Sequence, residues 1–314
     1  MEVIRLTYPH QLLKTPLPNT VAAIGFFDGL HNGHRAVIEK AVQIANESNR
    51  ESAVISFTPH PLTVLSKEEI DIQYVTTLRE KITLFEKLKI DRFYIITFDK
   101  QLSQLSPEQF LDHFIHGLHI THVVAGFDFT FGHKGIGNSS NLKEFSSKPI
   151  DVTVMDAVTY DDEKISTTRI KKLIKNGEVE RVKPLLGRYY ETTGTVIQGD
   201  SRGHTLGFPT ANLSIAPDKL LPKKGVYAVK VYWNDEIYYG MTNIGVKPTF
   251  SKHAQELSVE THILDFTETI YGEQLVVEWI QHIRSEKKFS GIDEIVAQLK
   301  KDEANVRKLF QIER

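Results

Sequence analysis

Two hydrophobic periodicities divide this chain, and they constrain its fold more than any other feature. Up to about residue 187, short apolar runs typical of buried strands alternate with stretches whose apolar residues have the spacing of one helix face. Beyond that point, strand-like segments follow one another with turn signals between them until a final amphipathic helix. We therefore predict two domains, residues 1–186 and residues 187–314.

The first domain alternates strands and helices. Its predicted strands cover residues 21–24, 53–57, 93–96, 123–125 and 152–155. Helices are predicted over residues 33–46, over residues 78–88 and after Ser106, which is followed by Pro107 and Gln109 as at many helix N-termini. This alternation favours an α/β fold with a mostly parallel sheet, in which ligands bind beyond the carboxyl ends of the strands.

The second domain is rich in β-structure. Strands are predicted over residues 189–197, 225–233, 236–244 and 275–283, with a tight turn at Asn234-Asp235. Successive short strands of this kind favour a small antiparallel β-barrel. A C-terminal helix is predicted from about Gly291, with Ser290 as its cap. The expected apolar stripe of this helix comprises Ile292, Ile295, Val296, Leu299, Val306, Leu309 and Phe310.

Composition excludes several classes of function. The 314 residues include 38 Lys+Arg and 40 Asp+Glu, a balance that argues against a dedicated nucleic-acid or membrane-surface protein. There are 0 cysteines, which removes disulfides, thiol nucleophiles and Cys-ligated metal sites. The N-terminus is charged where a signal peptide is apolar, and no apolar run approaches the ~20 residues that span a bilayer. We expect a cytoplasmic protein without nucleic-acid or membrane partners.

Two segments of the first domain suit phosphate. Residues 25–34, Gly-Phe-Phe-Asp-Gly-Leu-His-Asn-Gly-His, follow the first strand and open a helix, whose free N–H groups and dipole favour anions. His31 and His34 lie three positions apart, so both imidazoles can donate to one phosphate. Residues 165–170, Ile-Ser-Thr-Thr-Arg-Ile, place hydroxyls and a guanidinium before another helix. Capping histidines and helix-capping hydroxyls are the alternative interpretation.

Together these segments resemble the nucleotidylyltransferase superfamily. In that superfamily a phosphate of a second substrate attacks the α-phosphorus of ATP and pyrophosphate leaves, with Mg²⁺ assisting. The resemblance implies catalytic roles for His31, His34 and Arg169. It also implies ATP or phosphate contacts for Gly25, Phe27, Asp28, Gly33, Ser166 and Thr167.

Two further segments narrow the resemblance to bacterial FAD synthetases. Residues 57–61, Phe-Thr-Pro-His-Pro, and residues 126–132, Gly-Phe-Asp-Phe-Thr-Phe-Gly, are similar to segments that surround the flavin and nucleotide in those enzymes. The flavin contacts implied are Phe57, Pro59, His60, Pro61, Asp128 and Phe129. The sequence departs from the family's common residues at Asn32, Thr58, Thr130, Gly135 and Asn138.

The second domain contains a glycine-rich loop that ends in Gly-Phe-Pro-Thr-Ala-Asn at residues 207–212. A hydroxyl and an amide two positions apart can bind phosphates and a metal ion, although a β-turn with a structural Asx contact is the alternative. The segment closely resembles the riboflavin kinase signature. That resemblance implies Mg²⁺ binding by Thr210 and Asn212. Phosphate contacts are implied for Gly199, Gly203, Gly207, Pro209 and Thr210.

The similarity to riboflavin kinases continues through residues 243–250, 259–266 and 284–289. A kinase that acts on an alcohol needs a carboxylate to accept the hydroxyl proton. The resemblance places Glu260 in that role, whereas from the sequence alone Glu260 could equally be a solvent-facing strand residue.

With both halves in view, the chain resembles the bifunctional riboflavin kinase/FMN adenylyltransferase family, the prokaryotic FAD synthetases. The fold implied is a Rossmann-like α/β nucleotidylyltransferase domain followed by a small antiparallel β-barrel domain with a C-terminal helix. The implied activities are ATP-dependent phosphorylation of riboflavin to FMN by the C-terminal domain and adenylylation of FMN to FAD by the N-terminal domain. Mg²⁺, ATP, riboflavin, FMN and FAD are the implied ligands.

Two alternatives stay open on the sequence. The departures in the first domain motivate a monofunctional enzyme in which one half is a degenerate flavin- or nucleotide-binding module. A metal-binding protein is the other alternative, because His113, His116, His119 and His122 recur every three residues.

Overall fold

The computed structural model describes residues 1–9, 17–199, 202–246 and 257–312. By compactness the chain divides into two units, Met1–Thr167 and Thr168–Arg314. The sequence predicts a domain boundary at residue 186, which lies downstream of this division. Residues 168–186, between the division and the predicted boundary, are mostly helical. Within the described ranges, no helix is both long and apolar enough to cross a membrane.

The first unit is built on a six-stranded parallel sheet with helices between its strands, and it also has two two-stranded sheets. In chain order the strands of the unit are β1 Glu2–Leu6, β2 Thr20–Ile24, β3 Glu51–Thr58, β4 Arg92–Thr97, β5 Ile120–Gly126, β6 Thr130–Phe131, β7 Gly137–Asn138, β8 Asp151–Met155, β9 Thr159–Tyr160 and β10 Glu163–Lys164. The two-stranded sheets are β6–β7 and β9–β10. Its helices are α1 Asn32–Glu47, α2 Pro61–Leu65, α3 Leu78–Lys87 and α4 Pro107–Phe114. The strands and helices predicted for this part of the chain are confirmed, and β1 is an addition to them.

The strand order of the large sheet is β1-β4-β3-β2-β5-β8, and every neighbouring pair is parallel. From β2 the chain goes to β3 and β4 on one side and then returns to β5 on the other. The order therefore reverses beside β2, and open α/β sheets bind ligands at the carboxyl ends of the strands at such a reversal. The loop of residues 25–31 lies at this place.

Alternation along β2 shows how the sheet is covered. All five residues of β2 are buried. Val21 and Ala23 belong to the apolar cluster that contains residues of α1 and α3, whereas Ala22 and Ile24 belong to the cluster that contains residues of α4. Because successive strand residues point to opposite faces, helices cover both faces of the sheet, as the sequence predicts.

The predicted start of α4 is confirmed in its capping. The Ser106 hydroxyl accepts a hydrogen bond from the Gln109 backbone at 3.2 Å, and the Gln109 side chain accepts one from the Ser106 backbone at 2.9 Å. This reciprocal pair satisfies two N–H groups that a helix start would otherwise leave unpaired.

The second unit is a closed six-stranded barrel with short helices and one long C-terminal helix. In chain order its elements are α5 Thr167–Asn176, α6 Lys183–Leu186, β11 Tyr190–Ile197, α7 Arg202–Thr205, β12 Ala211–Ile215, β13 Gly225–Trp233, β14 Glu236–Val246, β15 Leu257–Ile263, β16 Gln274–Arg284 and α8 Ile292–Phe310. The strands pair antiparallel in the order β11-β12-β15-β14-β13-β16, and β16 closes the barrel by pairing with β11 as well as β13. The predicted antiparallel barrel with a C-terminal helix is confirmed.

The predicted tight turn between β13 and β14 is also present. Asn234 and Asp235 have φ angles of 50° and 63°, and Trp233 pairs with Glu236 across the turn. Two successive positive φ angles define the hairpin turn whose twist matches that of the flanking strands. Asn and Asp tolerate this conformation better than most residues.

The start of α8 and part of its predicted stripe differ from the prediction. Gly291 is the N-cap, while the hydroxyl and backbone N–H of Ser290 both donate to Glu294 Oε2. The predicted cap was therefore one residue too early. Two residues of the predicted stripe, Ile292 and Leu309, are 66% and 40% exposed. The buried residues of α8 include instead Asp302 and Arg307, which the predicted stripe did not contain.

Candidate active sites

The loop after β2 has an unusual backbone. Phe27 and Leu30 have φ angles of 54° and 44°, in the left-handed region that bulky residues rarely adopt. Both side chains are buried, at 3% and 2% exposure, and packing holds them there. Backbone strain of this kind is found at binding and catalytic sites, because only an over-determined structure tolerates it.

The two predicted histidines form a stacked pair at the start of α1. Their ring centroids lie 3.6 Å apart with an interplanar angle of 18°. His31 is the N-cap of α1, and its Nδ1 accepts a hydrogen bond from the His34 backbone at 3.2 Å. A neutral His31 must then have its proton on Nε2, which makes Nε2 a donor for a ligand.

Burial keeps both imidazoles neutral at pH 7. It lowers the pKa of His31 to about 4. Burial, with the neighbouring His31 as the next cause, lowers the pKa of His34 well below its ordinary value. The Nδ1 atom of His34 is buried and has no hydrogen-bond partner among the described residues. The pair is therefore built of neutral groups, each with one N–H donor.

Asp28 and Thr167 join the two predicted phosphate segments. The Thr167 hydroxyl donates to the Asp28 carbonyl oxygen at 3.0 Å, and Asp28 Oδ1 accepts from the Thr76 backbone at 3.1 Å. The structure thus brings Thr167, the last residue of the first unit, to the histidine loop. Arg169 follows two residues later on α5, in the second unit, and its catalytic role stays a prediction.

The predicted flavin segment after β3 lies beside the same loop. His60 is the N-cap of α2, and its ring packs edge-on against Phe26 with centroids 4.4 Å apart. Phe57 lies deeper and contacts the rings of Phe98 and Phe110 in the core. Pro59 and Pro61 flank His60 and fix the chain there.

The segment after β5 places charge near the histidines. Asp128 forms an ion pair with Lys164 at 2.7 Å, and the ammonium of Lys164 lies 4.3 Å from the centre of the Phe127 ring. Phe129 stacks on Phe131 with centroids 5.9 Å apart. Lys164 was not predicted as a site residue, although it directly precedes the phosphate segment at residues 165–170.

Lys81 is a second functional candidate that the sequence did not single out. It is 4% exposed, and its ammonium donates to the Phe26 carbonyl oxygen at 2.6 Å while lying 4.3 Å from the centre of the Phe26 ring. The Ser56 hydroxyl donates to the same carbonyl at 2.9 Å. Nothing in the pattern of α3 marks this lysine, because its burial depends on a loop distant in sequence.

In the second unit, three neighbouring strands bring together two predicted kinase residues, Asn212 and Glu260, and Asn243, which had no predicted role. Glu260 on β15 pairs with Asn212 on β12 and with Asn243 on β14. Directly paired residues of antiparallel strands point to the same face, so these three side chains share one surface. Of the similar segment at residues 243–250, residues 247–250 lie outside the part of the chain that the structure describes.

The glycine-rich loop wraps closely around Thr210 and Asn212. A Cβ atom at Gly203 would collide with the Phe208 carbonyl oxygen and lie 3.2 Å from the Thr210 hydroxyl. One at Gly199 would collide with the Asn212 amide. Only glycine therefore lets the backbone approach these two side chains so closely.

Gly203, Phe208 and Thr210 border a cavity of about 270 Å³ inside the second unit. Polar side chains on its wall include those of Thr210, Asn243 and Glu260. Apolar side chains form much of the remaining wall, namely Leu206, Phe208, Val226, Met241, Phe289 and Leu299. An apolar pocket with a few convergent polar groups is typical of a small-molecule site.

His262 connects β15 to the glycine-rich loop. Its Nδ1 lies 2.7 Å from the Pro209 carbonyl oxygen, and its ring packs edge-on against Phe208. This contact fixes the residues directly before Thr210. His262 belongs to a segment that the sequence identified by resemblance, but its part in holding the loop was not predicted.

The histidine-rich segment at residues 113–122 is no metal site. His116 Nε2 hydrogen-bonds the Ser146 hydroxyl and His122 Nε2 hydrogen-bonds that of Thr153, each at 2.8 Å. Within the described ranges, no three His, Asp, Glu or Cys side chains form a cluster that could bind a metal ion. The structure therefore does not support the metal-binding hypothesis, since the four histidines form no such cluster and His116 and His122 bond different hydroxyl groups.

Comparison with known proteins adds to this geometry. The chain matches the FAD synthetase family over residues 13–169 and the riboflavin kinase family over residues 186–310. It is 45% identical to a Listeria monocytogenes protein described as bifunctional riboflavin kinase/FMN adenylyltransferase, over 99% of this chain and 98% of that one. Proteins of the same description from Bacillus subtilis and Escherichia coli K12 are 41% and 31% identical. The alignments cover 99% and 96% of this chain, and 98% and 96% of theirs.

A solved structure shares the whole fold. A crystal structure of a Streptococcus pneumoniae protein described as a macrolide-efflux protein has a TM-score of 0.87 and 30% identity, covering 97% of this chain and 99% of that one. Its description differs from those of the sequence relatives, which agree with both family matches.

Proposed function

Since the chain belongs to the bifunctional riboflavin kinase/FMN adenylyltransferase family, we propose that it performs two successive transfers from ATP, one in each unit. The second unit phosphorylates riboflavin to FMN, and the first adenylylates FMN to FAD. The observation that supports this proposal is that Asp28, His31, His34 and Thr167 lie close together in the first unit, whereas Asn212 and Glu260 are paired on neighbouring strands of the second. The monofunctional alternative is not supported, because both halves match their families and the relatives are described as bifunctional.

In the kinase reaction, Glu260 is the proposed general base. Its half-buried carboxylate borders the cavity and accepts the proton of the riboflavin hydroxyl as that oxygen attacks the γ-phosphorus of ATP. The new P–O bond forms as the bond to the bridging oxygen breaks, and ADP leaves. The ATP phosphates are bound by the glycine-rich loop through Gly199, Gly203, Gly207, Pro209 and Thr210.

Thr210 and Asn212 fit the Mg²⁺ ion that the family implies. The loop backbone lies close to the hydroxyl of Thr210 and the amide of Asn212. Each of these side chains carries an oxygen atom, the ligand atom that Mg²⁺ prefers. When bound, the ion neutralises charge on the ATP phosphates.

We also propose that the ligands of both units are small molecules and that the protein is located in the cytoplasm.

In the adenylyl transfer, the histidine pair stabilises the phosphates. His31 donates from Nε2, His34 donates from its own N–H, and the free N–H groups at the start of α1 add their dipole. A phosphate oxygen of FMN attacks the α-phosphorus of ATP, the bond to the bridging oxygen breaks, and pyrophosphate leaves. No covalent enzyme intermediate forms, so catalysis consists of positioning and charge stabilisation.

The other proposed contacts surround this pair. We assign ATP and phosphate contacts to Gly25, Phe27, Asp28, Gly33, Ser166, Thr167 and Arg169. We assign flavin contacts to Phe57, Pro59, His60, Pro61, Asp128 and Phe129. The edge-on contact between Phe26 and His60 supports this arrangement, since it connects the flavin segment to the histidine loop.

Chromatographic separation of flavins tests the proposal. Incubation of the purified chain with riboflavin, ATP and Mg²⁺ should yield both FMN and FAD. Glu260→Ala should abolish FMN formation and leave the conversion of added FMN to FAD unchanged. His34→Ala should do the opposite, because each residue serves one site only.

Each outcome has a separate meaning. If the wild-type chain makes no FMN, the kinase assignment is wrong, and if it makes FMN without FAD, the adenylyltransferase assignment is wrong. If both folded variants lose both activities, the two reactions do not have separate sites. Circular dichroism of each variant provides the check on folding.

A further inference from the structure

One wall of the kinase cavity has no regular secondary structure. After β16 ends at Arg284, the chain runs to the start of α8 through residues 285–290, which belong to neither helix nor strand. Glu286, Lys287 and Phe289 line the cavity from this stretch, and Arg284 lines it from the end of β16. Because no strand or helix fixes residues 285–290, their position depends on side-chain contacts.

Helix α8 supplies those contacts through a buried carboxylate. Arg284 Nε donates to Asp302 Oδ2 at 2.8 Å, and Asp302 is 1% exposed. Gln298 donates to Asp302 Oδ1 at 2.7 Å, and Lys287 donates to the side-chain oxygen of Gln298 at 3.1 Å. Gln298 and Asp302 lie one turn apart on α8, so a single helix face anchors both Arg284 and Lys287.

These bonds orient the guanidinium of Arg284. Its Nε is occupied by Asp302, and its Nη1 donates to the Ser285 carbonyl oxygen at 3.1 Å. Its Nη2 has no partner among the described residues, although Arg284 borders the cavity. The Phe289 ring centre lies 5.9 Å from the guanidinium carbon. Because the guanidinium is rigid and planar, hydrogen bonds at two of its nitrogens fix the direction in which the third nitrogen can donate.

The energetics favour a positioning role for this ion pair. Burying a carboxylate and a guanidinium is expensive, and their mutual attraction often does no more than offset the loss of hydration. Replacement of a buried ion pair by apolar residues of similar volume is often neutral or stabilising. A buried ion pair beside a ligand cavity is therefore better explained by orientation of the guanidinium than by stability.

We propose that Asp302 is a positioning residue of the kinase site, which holds Arg284 so that its Nη2 donates to a carbonyl oxygen of the flavin ring. This proposal rests on the proposed riboflavin kinase function. The flavin is favoured over ATP because Phe289 and Leu299 line the same cavity as Arg284, and their apolar side chains suit a planar ring. Thr210, directly before β12, and Glu260, on β15, mark the proposed phosphate end of the cavity.

The test is Asp302→Asn in the full chain, measured by steady-state kinetics of riboflavin phosphorylation. We expect the KM for riboflavin to rise about tenfold or more, while kcat and the KM for ATP stay within about twofold, since a bond made equally in ground and transition states affects binding alone. Asp265→Asn is the matched control. It removes the carboxylate that bonds Arg307 of the same helix at 2.6 Å, and neither residue borders the cavity.

Arg284→Lys is a second test variant, which removes the guanidinium but keeps a cation beside Asp302. It should raise the KM for riboflavin by a similar factor, and the double variant should be no worse than the poorer single variant, because both act through one guanidinium. Conversion of added FMN to FAD should be unchanged throughout, which verifies that the first unit is intact.

Three results would overturn the proposal. The first is a rise in the KM for ATP in place of riboflavin, which would assign the guanidinium to a phosphate. The second is an equal effect of Asp265→Asn, which would reduce Asp302 to a stabilising residue of α8. The third is additivity of the two single variants. Absence of FMN formation by the wild-type chain would instead refute the kinase function itself.

Discussion

Lys81→Met tests whether a buried ammonium fixes the loop of residues 25–31 in the proposed adenylyltransferase site. Methionine keeps most of the length and volume of lysine and removes its charge. In the structure that charge does two things at once, because Nζ donates to the Phe26 carbonyl oxygen at 2.6 Å and lies 4.3 Å from the centre of the Phe26 ring. The substitution removes both contacts and leaves the packing of α3 almost unchanged.

The expected loss follows from these two contacts. A hydrogen bond from a charged donor contributes about 1.5–3 kcal/mol, and a desolvated cation over a phenyl ring contributes up to about 2 kcal/mol. Methionine offsets part of this loss, since an uncharged side chain has no hydration to give up on burial. We expect a net decrease of about 2 kcal/mol in the free energy of unfolding of the first unit. For a unit of this size that corresponds to a fall in Tm of about 4–8 °C.

The catalytic effect should exceed the effect on stability alone. Phe26 packs against His60 and Phe27 packs edge-on against His34 at 5.4 Å, so a loosened turn displaces groups on both sides of the proposed site. We expect kcat/KM for FMN adenylylation to fall by about tenfold or more, because small displacements of positioned groups are costly in catalysis. Riboflavin phosphorylation, in the other unit, should be unchanged.

Differential scanning calorimetry and flavin chromatography provide the two readouts. Ser56→Ala is the matched control, because it removes the uncharged donor to the same carbonyl at 2.9 Å and should cost about 1 kcal/mol. Unchanged adenylylation in Lys81→Met would refute the role given to the ammonium. So would equal effects of the two substitutions, since the charge would then contribute nothing of its own.

Two further predictions concern the histidine pair and the kinase loop. Unfolded His31 titrates near 6.5 and folded His31 near a pKa of about 4, so the unfolded state binds more protons between these values and the first unit should lose about 3 kcal/mol as pH falls through that window. His31→Gln should reduce the dependence of Tm on pH there and leave the part due to His34, whose pKa burial also lowers. An unchanged slope would contradict the assignment. Gly203→Ala should reduce riboflavin phosphorylation at least tenfold without affecting FMN adenylylation, because its Cβ would collide with the Phe208 carbonyl oxygen. Gly291→Ala, whose Cβ meets only open space, should leave both rates unchanged.

Local signals explain which elements the sequence could predict. Ser106 and Gln109 form a capping box through residues three apart, and Asn234-Asp235 forms a turn from its own two φ angles. The strands β2 and β3 are apolar runs that need no distant partner to be recognised. Interactions within a few residues therefore determined these parts of the fold, and the sequence alone predicted them.

Long-range contacts explain what the sequence did not show. β1 is a short strand with alternating polar residues, and only its pairing with β4, at Glu2 and Arg92, gives it a place in the sheet. Lys81 and Asp302 are charged residues on amphipathic helices, where a pattern assigns them to the solvent face. Each is buried because a partner distant in sequence satisfies its charge, and no periodicity encodes that partner.

The two sheets differ in how they present their edges to other molecules. In the closed barrel every strand pairs with two neighbouring strands. The barrel therefore has no edge strand whose backbone groups could pair with a strand of another chain. The parallel sheet ends at β1 and β8, whose outer N–H and C=O groups are a template for a further strand. Charged residues stand along these edges, with Glu2 and Arg5 on β1 and Asp151 on β8. An added strand would have to desolvate these charges, which protects the first unit against edge-to-edge aggregation.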